Sequence, residues 1–62
     1  MNIDFSKDEL MLLDLLLAQE QSETTVEIHH SRNNVYKDLL REKLKMVDSL
    51  AARVQSALAK TP

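Results

Sequence analysis

Glycine and cysteine are both absent from this 62-residue chain, its single proline is the last residue, and Phe5 and Tyr36 are its only aromatic side chains. Each gap closes off a class of structure. Small strand-rich domains need glycine in their hairpin turns, so the composition favours helix throughout. Without cysteine there are no disulfides and no thiolate zinc sites. The two histidines do not complete a structural metal site by themselves. Long apolar runs are scarce as well. Residues 10–18, LMLLDLLLA, reach about half of the roughly 20 residues a membrane span needs, and Asp14 interrupts them. The opening MNIDFSKDEL carries acids where a secretory signal would carry basic residues. The expectation is a soluble cytoplasmic protein beginning at its own initiator Met, with no membrane contact. A reducing compartment fits the missing cysteine.

What is present is helical pattern. Ser6 followed by Glu9 reads as a capping box, and Phe5 with Leu10 reads as a hydrophobic staple across the same boundary. Asp8 and Glu9 then fall in a first turn, where the helix dipole favours acids. At 100° per residue, Leu12, Leu13, Leu16 and Leu17 share one face, with Leu10 and Leu15 beside it. Lys7, Asp14 and Gln21 form the one consistently polar strip. One partner helix covers a stripe about 100° wide, so this surface asks for at least two neighbours.

Residues 24–28, TTVEI, are rich in β-branched types and also fit a short strand. The spacing Leu17, Gln21, Thr24, Ile28 continues the helix, and a long second helix needs a long first one beside it. The first helix is therefore expected over about 7–29, with a turn near 30–33. His29 and His30 suit a helix C-terminus, and Ser31, Asn33 and Asn34 offer caps, Asn also tolerating the left-handed conformation usually given to glycine. The second helix is expected over about 34–59, with a frayed tail at 60–62. Its apolar stripe, Leu40, Leu44, Val47, Ala51, Val54 and Leu58, alternates steps of four and three, and Leu50 widens one flank.

The fold expected is all-α: an antiparallel two-helix hairpin forming one domain over residues 1–62, associating as a dimeric four-helix bundle. A chain this short is marginal alone, and with disulfides and metal set aside self-association is the stabiliser that remains. The residues expected to carry it are Leu12, Leu13, Leu16 and Leu17 on the first helix and Leu40, Leu44, Val47, Leu50 and Val54 on the second. A homodimer is the expected partner arrangement. A higher oligomer, or a larger protein offering a matching amphipathic helix, is the other way to cover the same surface.

The stretch EIHHSRNNVYKDLLREKL, residues 27–44, resembles a class of small bacterial helical-hairpin proteins of uncharacterised function. Those have an EI dipeptide, a Ser or Thr four residues after the Glu, and an aromatic-basic pair opening a second helix. The matching positions are Glu27, Ile28, Ser31, Tyr36 and Lys37, and the chain departs from the pattern at Gln21, where those proteins tend to be apolar. The resemblance implies a helical hairpin and no activity.

Charge is unevenly shared. Residues 1–31 carry seven acids and one Lys, net −6, and residues 32–62 carry seven basic residues and three acids, net +4, which together give the chain its −2. An acidic helix beside a basic one favours antiparallel pairing through many weak contacts. Glu20 and Lys43 each interrupt the apolar stripe of their own helix. With the turn centred near residue 31, level positions have numbers summing to about 63, so these two are expected to pair and to fix register. Lys37, Arg41 and Lys45 make a ridge at successive i,i+4 spacing, the one feature that suits a nucleic-acid backbone. Negative net charge and the lack of aromatic stacking groups disfavour that partner. Glu27 and His30 have the Glu-x-x-His spacing of di-iron bundles, but at a helix end, where exposed imidazoles capping the terminus are the simpler reading. No Ser–His pair has a third group to orient it, and no glycine loop cradles phosphate, so neither enzyme nor cofactor is expected.

Overall fold

Ser6 starts the first helix with both halves of a capping box: its hydroxyl accepts from the Glu9 amide at 3.1 Å, and its own amide donates to the Glu9 carboxylate at 2.8 Å. In the computed structural model, which describes residues 4–61, the chain forms α1, Lys7–His30, and α2, Asn34–Lys60, with no strand among the described residues. TTVEI lies within α1. There the Thr25 hydroxyl donates to the Gln21 carbonyl at 2.7 Å, an i−4 bond that satisfies a β-branched polar residue inside a helix.

The turn is Ser31, Arg32 and Asn33. Ser31 donates its amide to the Glu27 carbonyl at 2.9 Å, and the Asn33 side chain accepts from the amides of Val35 at 2.9 Å and Tyr36 at 3.1 Å. Ser31 and Asn33 are both extended, and no described residue has positive φ. The left-handed asparagine expected in place of glycine is therefore not used. Two capping residues with ordinary dihedrals reverse the chain instead. At the far end Thr61 closes α2, its hydroxyl donating to the Ala57 carbonyl at 2.9 Å. Met1–Ile3, which include the expected initiator, and Pro62, at the end of the expected tail, lie outside the described residues.

So short a turn makes the two helices antiparallel neighbours. They meet along a single seam. Leu40, Val47 and Ala51 are buried in it from α2, and Leu10 and Thr24 from α1. Leu17, Ile28, Leu44, Val54 and Leu58 are half-buried beside them. The seam runs through α1 at Leu10, Leu17 and Thr24, a seven-residue step that keeps one line of a helix against its partner.

This line differs from the leucine face the sequence suggested. Leu12 and Leu16 are exposed, and part of the expected polar strip borders α2: Asp14 and Gln21 are half-buried, and the Gln21 amide donates to Asp48 at 2.7 Å. Leucine surrounds so much of α1 that its own pattern selects no inner face. The α2 seam stripe makes the selection.

One seam is a thin core. The chain exposes 5125 Å², against roughly 4,100 Å² for a compact monomer of its 7.1 kDa mass. Its radius of gyration is 13.9 Å, against about 10.6 Å for a globule of this length.

Candidate self-association surface

The two broad sides of the hairpin are unlike. On one, facing positions of the helices come together level by level, with numbers summing to 63. The Lys43 ammonium lies 3.0 Å from the Glu20 carboxylate. One level nearer the turn, the Tyr36 hydroxyl donates to Glu27 at 3.3 Å. One level farther away, Leu13 and Leu50 line an open groove of about 490 Å³ that also takes in Phe5, Leu17, Val54 and Ala57. Phe5 and Leu10, read as a staple, both line this groove.

Helix geometry adds more apolar surface to this side. Leu16 follows Leu13 by three and precedes Glu20 by four, and Met46 lies between Lys43 and Leu50 in the same way. Leu39 sits four before Lys43 and three after Tyr36. Leu16, Leu39, Met46 and Leu50 are all exposed. The opposite side carries the Gln21–Asp48 bond and the charged outer half of α2, with Met11 and Leu15 exposed on α1.

The nine residues singled out for association therefore divide. Leu40 and Val47 are enclosed within the hairpin, and Leu44, Leu17, Val54 and Leu13 are half-buried. Leu12, Leu16 and Leu50 remain open to a neighbour. Leu39 and Met46, which lie off the α2 seam stripe, join them. The signal that finds them is the run 36, 39, 43, 46, 50 on α2, a second stripe beside the seam stripe.

Glu20 and Lys43 stay about half exposed, 44% and 49%. The Glu20 carboxylate holds Lys43 above its ordinary pKa, by hydrogen bond first and by charge second. Glu9 is held below the usual carboxylate value, first by the Ser6 amide and then by its hydroxyl. The basic ridge is interleaved with acids: Arg41 pairs with Asp38 at 3.1 Å, Lys45 pairs with Glu42 at 3.3 Å, and Lys37 is half-buried. Glu27 is engaged by Tyr36, while His29 and His30 are exposed. No group of three or more His, Asp or Glu among the described residues is arranged to hold a metal ion. No helix among them is long and apolar enough to cross a membrane.

Fold and surface together define an antiparallel helical hairpin with an exposed apolar patch and groove on the Glu20–Lys43 side. No protein-family model, curated protein or solved structure matches the chain.

Proposed function

We propose that this protein is a small non-enzymatic interaction module that works by self-association, two hairpins closing their apolar sides into a four-helix bundle. The observation that carries the reading is the exposed group Leu16, Leu39, Met46 and Leu50, gathered beside the groove on one side of a molecule one helix layer thick. Exposed apolar area of this kind marks an association surface. The scale also fits. The hairpin measures 45 × 22 × 13 Å, so its broad side offers on the order of 1,000 Å² per copy, and stable interfaces bury about 1,200–2,000 Å² in total. Helix-on-helix closure supplies the second layer that a lone hairpin lacks.

Sedimentation equilibrium over a concentration series tests the proposal, with Leu16→Glu as the probe. Leu16 is 46% exposed within one chain, so a carboxylate there is tolerable in an isolated hairpin and costly in a closed interface. The expected outcome is a wild-type mass twice 7.1 kDa and a Leu16→Glu mass near 7.1 kDa. Wild type and variant both sedimenting as folded monomers at the highest concentration would refute it.

A further inference from the structure

Two identical sides can face each other about a two-fold axis in two ways. With the axis along the helices, both turns lie at the same end of the bundle and α1 rests on α2 of the partner. With the axis across the helices, the turns lie at opposite ends and α1 rests on α1. Resting on the self-association reading above, we propose the first: a dimer with both turns at one end, in which Glu20 and Lys43 of each chain complete a four-membered charge ring in the middle of the interface.

Three observations converge on this arrangement. The first is charge. The acids on the apolar side belong to α1 (Glu9, Glu20, Glu23 and Glu27) and the cations there, Lys43 and Arg53, belong to α2. Setting α1 on α2 brings acids to bases, and setting α1 on α1 brings acids to acids and leaves bases facing bases. Like charges juxtaposed across an interface select against an arrangement.

The second is the order of residues along α1. On this side of α1, Leu13 and Leu16 lie in the half far from the turn and Glu20, Glu23 and Glu27 in the half near it, while Glu9 at the far end is bonded into the Ser6 cap. Coaligned hairpins keep every level against itself, so Leu13 meets the partner's Leu50 and Leu16 lies near the partner's Met46. Opposed hairpins centred on the Glu20 level set Leu13 against the partner's Glu27 and Glu20 against the partner's Glu20. Apolar area would then be matched with carboxylates.

The third is the pair itself. Glu20 and Lys43 are bonded through one carboxylate oxygen at 3.0 Å, and both remain about half exposed on the face in question. The ammonium has two further protons, and the carboxylate has a second oxygen. Coaligned packing brings the partner's Lys43 to the open side of Glu20 and the partner's Glu20 to the open side of Lys43. Opposite charges then alternate around the ring. A paired, enclosed set of this kind fixes which way two chains meet rather than how tightly they hold.

The chain has no cysteine, so single-cysteine variants take a spin label at one place only. Arg32→Cys labels the turn and Lys60→Cys labels the far end, both exposed positions. Dipolar distances are measured in the dimer, with mass and helix content checked for each labelled protein. Neighbouring helices lie about 8–10 Å apart, so coaligned hairpins give label separations below about 30 Å at both positions. Separations near the 45 Å hairpin length at either position overturn the orientation and leave self-association standing. A folded monomer showing no dipolar coupling overturns the self-association beneath it as well.

Discussion

Replacing Thr24 by Val is expected to stabilise the protein, an unusual direction for a change at a buried position. Thr24 is 0% exposed, and its hydroxyl has no hydrogen-bond partner. Its neighbour Thr25 bonds back to the Gln21 carbonyl, so the unpaired hydroxyl is particular to the residue facing α2. A buried, unpaired polar group costs about 1–3 kcal/mol. Valine has the same branching and nearly the same helix propensity, so the substitution changes little except that hydroxyl. The expected gain is about 1–2 kcal/mol. For a domain of this size each kcal/mol moves Tm by roughly 4–8 °C. Urea and thermal unfolding followed by circular dichroism read both quantities. Protein concentration must be held constant, because association makes apparent stability concentration-dependent. An unchanged urea slope would show that the same surface unfolds. A Thr24→Val variant equal to or weaker than wild type would refute the reasoning, since the hydroxyl would then have a partner in solution.

The other expectations concern the helix start and the charged pair. Ser6→Ala removes an N-cap hydroxyl and should cost about 1 kcal/mol in the same unfolding assay. Glu9, the other half of that cap, is held below its ordinary pKa, so its contribution is complete above that ordinary value and declines as pH falls through the lowered one. Stability should therefore fall on acidification in wild type and fall less in Glu9→Gln, and parallel curves would remove Glu9 from the account. Lys43 is held above its ordinary pKa, so its contribution is complete below that value and disappears as strongly alkaline pH passes through the raised one. Lys43→Met should flatten the alkaline limb of a pH–stability profile, and an unchanged limb would assign it to other groups.

Local chemistry was the most legible part of the sequence. The Ser6–Glu9 box states a boundary in two residues, because a cap depends on neighbours along the chain and on nothing distant. The level rule for an antiparallel pair puts Glu20 beside Lys43, and the same arithmetic applied to Glu27 finds Tyr36. The inner face of α1 was not legible. A helix with leucine around most of its circumference has several equivalent apolar lines, and only the partner's shape decides among them. That is why Gln21 and Asp14, the strip that looked solvent-facing, lie beside α2, while Leu12 and Leu16 point to open surface. On α2, where steps of four and three mark out one line, Leu40, Val47 and Ala51 are buried in the line their spacing describes. The open surface was half legible for the same reason: it is the remainder after the seam is chosen. Leu39 and Met46 become recognisable only once Leu40 and Val47 are known to be occupied.

The reversal at Ser31–Arg32–Asn33 has a consequence for how the hairpin is specified. Every described residue there keeps a commonplace backbone conformation, and capping groups, not a strained link, end one helix and begin the next. Such a connector works as a tether: it brings two helices near each other without prescribing the angle or rotation at which they settle. The instructions for mutual recognition are written along the helices themselves, which leaves the tip of the molecule free to vary while the alliance between its two arms persists.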